Sequence, residues 1–143
     1  ASDLALKNPM IEEIMDALRE NRFLDEYDEV WARLCIDEVV TNAIRHGNNE
    51  DLNKTVQVSL FMEKDSWSIR VEDEGSGFAA KELHSMEDEG YGDAEHGRGI
   101  ILMQSYMDEI WYYDKGNRVQ LKKIKKNFLQ KWISKISRFL RLK

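Results

Sequence analysis

The sequence is poor in cysteine, proline and histidine, with one, one and three residues respectively in 143, and it contains no long apolar run. The single cysteine, Cys35, cannot form an internal disulfide, so a reducing, cytoplasmic environment is expected. No stretch approaches the ~18 consecutive apolar residues of a membrane-spanning helix. The N-terminus lacks the basic and apolar regions of a signal peptide, so none is expected. With so few thiol and imidazole ligands, a zinc site is not expected either.

The charge is distributed unevenly along the chain. The net charge is −6, yet residues 122–143 carry nine lysines and arginines and no acidic residue, which leaves about −15 on the rest. An acidic body of this kind argues against direct binding of nucleic acid. With 42% hydrophobic and 34% charged residues, the composition is otherwise typical of one soluble globular domain that can bury a core.

Periodicity in the apolar residues predicts a mixture of helices and strands. Helical spacing predicts a first helix from Pro9 to about Asn21, a second from Asp25 or Asp28 to Arg45 or His46, and a third from Gly99 to Met107. Alternation of apolar and polar residues predicts strands that pair as two antiparallel hairpins, at 56–62, 67–73, 110–113 and 119–124.

The second predicted helix carries polar side chains that packing alone does not require. Glu38, Asn42 and His46 are spaced four apart and therefore lie on one face. The apolar residues lie on another face: Ala32, Ile36, Val39, Val40, Ala43 and Ile44. A carboxylate, an amide and an imidazole aligned in this way can handle a proton, a metal ion and a polar ligand. For His46, a contact at the helix C-terminus or packing in the core is the alternative to a functional role.

A second motif, Asp73-Glu74-Gly75-Ser76-Gly77, stands at the end of the second predicted strand. A carboxylate such as that of Asp73 can accept a hydrogen bond from an exocyclic amine, for example that of adenine. Glycines such as Gly75 and Gly77 let the backbone approach a flat ligand closely. The alternative is an ordinary acidic turn, since acid–glycine turns are common.

A third motif, His96-Gly97-Arg98-Gly99, opens the third predicted helix. Unbonded N–H groups at a helix start are a natural site for phosphate, and Arg98 can add a charge-assisted contact. The motif is not a Walker P-loop, because no Gly-Lys-Ser or Gly-Lys-Thr follows, and the alternative is a flexible helix start. The preceding residues 78–97 are rich in acids and have no sustained period, which is typical of a lid or binding loop.

The order of these three motifs resembles the ATP-binding fold shared by gyrase, a heat-shock chaperone, histidine kinases and the mismatch-repair ATPases. Within that group, the stretches Glu38–Gly47, Gly97–Met103 and Met107–Ile110 are most similar to the small bacterial serine/threonine kinases that act as anti-sigma factors. The resemblance covers about residues 10–124. It implies an α+β two-layer sandwich in which a mixed, mostly antiparallel sheet has helices on one face. The domain is therefore expected to span residues 1–124.

The resemblance also implies a role for each matching residue at the phosphate end. Glu38 matches the general base that deprotonates an attacking hydroxyl or water. Asn42 matches the residue that ligates magnesium, an ion that prefers oxygen ligands. The turn that contacts the phosphates is matched by Gly97, Arg98 and Gly99. ATP and Mg²⁺ are accordingly the expected cofactors.

At the other end of the expected nucleotide, Asp73 matches the carboxylate that reads adenine. Gly75 and Gly77 match the glycines that close the adenine pocket. Residues 78–97 match the mobile lid over the nucleotide.

The function implied by the resemblance is transfer of the γ-phosphoryl group of ATP to a serine or threonine of an antagonist protein. The unphosphorylated antagonist would compete with a sigma factor for the kinase. Homodimerisation is expected by analogy, and Trp31 and Leu34 are expected on partly exposed helix faces. Two alternatives stay open: an ATP-binding regulator that sequesters a partner without phosphotransfer, and the ATP domain of a histidine-kinase-like signalling system.

Residues 125–143 lie beyond the resemblance and predict a basic amphipathic helix at about 127–142. Apolar residues recur at three- and four-residue spacing between the basic ones: Ile124, Phe128, Trp132, Ile136, Phe139 and Leu140. Such a helix can pack on its own domain, lie on a membrane surface or dock an acidic partner, and all three remain open.

Overall fold

The computed structural model describes residues 3–77, 96–126 and 136. The described chain folds into three α-helices, one π-helical turn and four β-strands. Their order is α1 (Leu4–Glu20), α2 (Glu26–Asn42), the π turn (Ala43–Gly47), β1 (Val56–Met62), β2 (Ser66–Asp73), α3 (His96–Tyr106), β3 (Glu109–Tyr113) and β4 (Arg118–Ile124).

The four strands form one open sheet in the order β1-β2-β4-β3, and each described strand pair is antiparallel. Alternation along β2 places Trp67, Ile69 and Val71 in the core. The register sets Ile69 opposite Leu121 of β4, which is also fully buried. The helices pack on this face of the sheet. The expected α+β two-layer sandwich is therefore confirmed.

The first helix begins at Leu4, so the prediction that it begins at Pro9 is wrong. Asp3 is the N-cap, and its Oδ1 accepts a hydrogen bond from the backbone N of Ala5 at 2.8 Å. Pro9 has no N–H for the carbonyl group of Ala5. Because Ala5 and Pro9 are both exposed, water can hydrogen-bond that carbonyl group, and the helix tolerates the proline.

The second helix begins with a capping box built by Asp25 and Asp28. Oδ1 of Asp25 accepts from the backbone N of Asp28 at 2.9 Å, and Oδ2 of Asp28 accepts from the backbone N of Asp25 at 3.4 Å. Beyond Asn42 the chain continues helically but widens into the π turn, in which the N–H of Asn48 bonds the carbonyl oxygen of Ala43 at 2.9 Å. His46 is exposed in this turn, so the core-packing alternative for it is wrong.

Helix α2 lies between α1 and α3, and both neighbours run antiparallel to it. On the α3 side, the Tyr106 hydroxyl donates to Oδ1 of Asp28 at 2.9 Å, and the Cys35 thiol lies 4.0 Å from the carbonyl oxygen of Leu102. Cys35 is fully buried, and this burial raises the pKa of its thiol to about 12. These contacts place the start of α3 beside the C-terminal half of α2.

The predicted lid at 78–97 and the predicted tail helix fall almost wholly outside the described residues. In the tail, Ile136 is described as helical and 40% exposed. Strand β4 ends at Ile124, and the expected domain boundary after residue 124 stays a prediction. None of the described helices is long and apolar enough to cross a membrane.

Candidate functional site

The polar row predicted on α2 begins with two side chains in contact. Nδ2 of Asn42 donates a hydrogen bond to Oε1 of Glu38 at 3.2 Å, one helical turn away. Both residues are half-buried. Because the amide nitrogen of Asn42 is used in this bond, its Oδ1 is the atom that can serve as a ligand. The pair thus presents a carboxylate and an amide oxygen at one place.

The start of α3 lies directly against Glu38. Gly99 is buried, and a Cβ atom added to it would overlap the carboxylate of Glu38. A glycine is therefore required for this approach of the two helices. The structure brings together Glu38, Asn42 and Gly99, three of the predicted site residues.

Gly97 and Arg98 lie in the first turn of α3, because that helix begins at His96 rather than at the predicted Gly99. The first turn of a helix has N–H groups without intrahelical partners, which suits an anion. The side chain of Arg98 is outside the part of the chain that the structure describes, so its predicted phosphate contact stays a prediction.

The second group of site residues surrounds Asp73, the last residue of β2. The backbone N of Gly75 donates to Oδ1 of Asp73 at 2.8 Å. Burial raises the pKa of this carboxyl group, while the Gly75 hydrogen bond and the charge of Lys54 act in the opposite direction. Within the described residues, Oδ2 of Asp73 accepts no hydrogen bond from the protein. That oxygen can accept one from a ligand N–H group.

Gly47 also belongs to this second group, although in the sequence it stands out only as the last residue of the stretch Glu38–Gly47. A Cβ atom added to Gly47 would overlap the Asp73 carboxylate, and one added to Gly75 would overlap the carbonyl oxygen of Gly47. The three residues are therefore in direct contact, with no room for a side chain at either glycine. The sole sequence signal was that Gly47 ends the motif that contains Glu38 and Asn42.

The turn between β3 and β4 fixes the backbone of Asp73 from the other side. The backbone N of Asp73 donates to the carbonyl oxygen of Asn117 at 2.9 Å, and Nδ2 of Asn117 donates to the carbonyl oxygen of Asp73 at 3.0 Å. Gly77 has a φ of +74° and lies against the backbone of Lys115, so both its conformation and its space require glycine. No pattern in the sequence indicates this role for Asn117, which lies 44 residues away from Asp73.

One element connects the two groups of side chains. Asn42 directly precedes the π turn and Gly47 ends it. The arrangement offers a carboxylate and glycine backbone for a flat, amine-bearing group at one end. At the other end it offers a carboxylate, an amide oxygen and a helix start for an anion. The geometry fits an elongated ligand with a base and a phosphate chain.

Comparison with known proteins identifies relatives of the same kind. The family model of the histidine kinase-like ATPase domain matches residues 1–123. The chain is 34% identical over 108 residues to an anti-sigma F factor of Geobacillus kaustophilus, a match that covers 70% of each chain. It is 30% identical over 128 residues to an anti-sigma F factor of Clostridium perfringens strain 13, which covers 84% of this chain and 79% of that protein.

Proposed function

The chain belongs to the histidine kinase-like ATPase family, and from that premise we propose that it is an ATP-dependent serine/threonine protein kinase that acts as an anti-sigma factor. Membership of this family implies ATP binding. The observation that carries the proposal is the contact of Glu38 with Gly99 at the start of α3. It sets a candidate base beside a candidate phosphate site, an arrangement that phosphoryl transfer needs and simple nucleotide binding does not.

In this proposal the nucleotide extends from Asp73 to α3. Oδ2 of Asp73 accepts a hydrogen bond from the exocyclic amine of adenine, while its Oδ1 stays bonded to Gly75. The backbone of Gly75 and Gly77 lines the base, since neither position has room for a side chain. The phosphates lie at the first turn of α3, with Gly97, Arg98 and Gly99.

Magnesium fits the phosphate end through Asn42. No cluster of three or more acidic, histidine or cysteine side chains that could hold a metal ion occurs among the described residues. Magnesium does not need one, because it is commonly held by one or two protein oxygens together with phosphate oxygens and water. Oδ1 of Asn42 supplies such an oxygen. When bound, the ion would neutralise negative charge that develops on the phosphates.

Glu38 acts as the general base in this scheme. The serine or threonine hydroxyl of the protein substrate attacks the γ-phosphorus, its proton passes to the Glu38 carboxylate, and ADP leaves. The hydrogen bond from Asn42 holds Oε1 of Glu38 in place, which orients the carboxylate for that transfer. Positioning and charge neutralisation supply the rest of the rate enhancement.

The partners follow from the relatives, whose name states that they oppose sigma F. We infer a sigma factor and an antagonist protein as the two partners, with the antagonist as the phosphorylated substrate. Phosphorylation of the antagonist would then decide which partner the kinase holds. Homodimerisation remains part of the proposal, and Leu34, 44% exposed on α2, is available for such a contact.

Replacing Glu38 by glutamine tests the proposal. Glu38→Gln keeps an oxygen for the Asn42 hydrogen bond and removes the base. We expect ATP binding by calorimetry to be retained and phosphoryl transfer to an antagonist to fall about a hundredfold or more. Glu13→Gln, at an exposed position on α1, is the matched control and should keep the wild-type rate.

Three outcomes would contradict parts of the proposal. An unchanged rate in Glu38→Gln would remove Glu38 from the mechanism. A wild-type protein that binds ATP and a sigma factor but never transfers phosphate would be a sequestering regulator. Transfer of labelled phosphate to a histidine would place the chain in a histidine-kinase-like signalling system.

A further inference from the structure

Asn48 is a buried polar side chain that the proposed mechanism does not use. It is fully buried, whereas its neighbours Asn49 and Glu50 are exposed. Burying an amide is costly unless its hydrogen bonds are satisfied. Nδ2 of Asn48 donates to the carbonyl oxygen of Thr55 at 2.7 Å, and its Oδ1 accepts from the backbone N of Glu74 at 2.8 Å. Both ends of the amide are therefore bonded to backbone.

These bonds connect three separate segments of the chain. The backbone N of Asn48 also donates to the carbonyl oxygen of Ala43 at 2.9 Å, which closes the π turn. Thr55 directly precedes β1, and its hydroxyl donates to Oε2 of Glu74 at 3.1 Å. The end of α2, the start of β1 and the turn after β2 thus meet at one side chain.

The residues held by Asn48 are sequence neighbours of the proposed nucleotide ligands. Ala43 follows Asn42, and Glu74 follows Asp73. On the same side, Gly47 fills the space against the Asp73 carboxylate, so the two segments cannot move closer together. Asn48 prevents them from moving apart. A π turn is rare and tends to occur at functional positions, where it rotates the following residues relative to an α-helix.

We propose that Asn48 is a positioning residue that fixes the separation between the Asn42 end of α2 and the Asp73 turn. The inference rests on the proposed function, in which these are the two ends of the ATP site. The separation determines whether a nucleotide whose phosphates lie at α3 also places its base against Asp73. Loss of Asn48 should therefore lower the preference for adenine over guanine more than it lowers the affinity for phosphate.

The test measures base preference rather than affinity alone. ATP, GTP and inorganic tripolyphosphate are titrated into wild type and Asn48→Ala by calorimetry, with magnesium present. We expect the ratio of ATP to GTP affinity to fall about tenfold in Asn48→Ala, the size of one lost hydrogen-bonded constraint, while tripolyphosphate affinity changes by less. A merely structural role would lower all affinities together and leave the ratio unchanged.

Two further variants sharpen the test. Asn48→Ser is uncharged, and its hydroxyl can bond at most one of the two backbone groups, so it should lower the ratio by less, about threefold. It also serves if Asn48→Ala fails to fold. Asn53→Ala is the control, because Asn53 is exposed and its side chain bonds only locally to Asp51 at 3.1 Å. Its ratio should equal that of wild type.

The outcomes separate this inference from the function on which it rests. If wild type prefers ATP over GTP and both Asn48 variants keep the full preference, the inference fails and the proposed function stands. If wild type binds neither nucleotide, the proposed function fails and the inference falls with it.

Discussion

The two ends of the candidate site are built in different ways. At the Asp73 end, hydrogen bonds from the backbone of Gly75 and the side chain of Asn117, with Asn48 close by, hold a turn in which glycines leave no spare room. At the Glu38 end, the described residues supply one side-chain hydrogen bond, from Asn42, and a close approach of α3 at Gly99.

The difference indicates which part of the site exists before a ligand binds. The base end, around Asp73, is formed by the sheet, its turns and the π turn that ends at Gly47, so its shape depends on the whole fold. The phosphate end, at Glu38 and the start of α3, depends on how closely α3 lies against α2. A substitution at the base end should therefore change mainly the free energy of unfolding, and one at the phosphate end mainly the rate of phosphoryl transfer.

The largest effect is expected from Gly99→Ala, at the phosphate end. The added methyl group meets the end of the Glu38 side chain, which can turn away, so the carboxylate moves while the fold persists. We expect phosphoryl transfer to fall about a hundredfold. The free energy of unfolding should stay constant or rise by up to ~1 kcal/mol, because alanine favours helices over glycine.

Enzyme assays and urea denaturation of the same preparation check this prediction. Ser105→Ala, at an exposed position of α3, is the control and should change neither quantity by much. A Gly99→Ala protein with full activity would show that Glu38 has no fixed place in the reaction.

Gly75→Ala should show the opposite pattern. Here the added methyl group meets the backbone of Gly47, which cannot turn away. We expect the free energy of unfolding to fall by about 2 kcal/mol, as for other overpacked sites, which urea denaturation measures. Ser76→Ala, one position along and exposed, should leave stability nearly unchanged. Equal stability of the two variants would mean that the base end is looser than the structure indicates.

Asp73→Asn separates binding from stability at the base end. We expect ATP affinity to fall at least about tenfold, because the amide NH₂ then faces the adenine amine. Burial raises the pKa of Asp73 in the folded state, so wild type loses stability as pH rises from the usual carboxyl range to that raised pKa. The variant avoids this loss.

Calorimetry and denaturation at several pH values test both parts. The stability of Asp73→Asn relative to wild type should increase from acid to neutral pH and then remain constant. A relative stability that decreases over this range would show that the Asp73 carboxylate is stabilised by folding, contrary to its burial.

The smallest effect is expected from Tyr106→Phe, which removes the hydrogen bond between α3 and Asp28 at the end far from Gly99. We expect a loss of about 1 kcal/mol in the free energy of unfolding. Burial raises the pKa of Asp28, and the Tyr106 hydrogen bond opposes that rise. The variant should therefore lose more stability at neutral pH than in acid. Tyr113→Phe, at an exposed position on the sheet edge, is the control. Its free energy of unfolding, measured by denaturation at the same pH values, should stay close to that of wild type.

Local patterns in the sequence predicted most of the elements and failed at helix starts. Alternating apolar residues located β1 and β2, and the strand end at Asp73 followed from the glycines after it. The predicted start of α1 is wrong because proline is typical of a first helical turn, whereas here Asp3 is the cap and Pro9 lies inside the helix. Proline inside a helix usually kinks or breaks it, so the sequence pattern does not indicate a helix that continues through Pro9.

The site was predictable only where its residues belong to one local motif. Glu38 and Asn42 share a helix face, so their contact followed from spacing alone. Asn117 and Gly47 act through contacts with Asp73 that are distant in sequence, and no periodicity encodes such contacts. The burial of Asn48 depends on a π turn, which the 3.6-residue period cannot indicate.

The placement of Cys35 gives the protein a built-in reporter of motion at the phosphate end. Its thiol is shielded by α3 at Leu102 and has a pKa far above neutrality, so alkylating reagents cannot react while the two helices are in contact. The rate at which Cys35 is labelled therefore reports how often α3 separates from α2. Because the sequence has no other cysteine, this rate can be followed in the natural chain, with and without nucleotide.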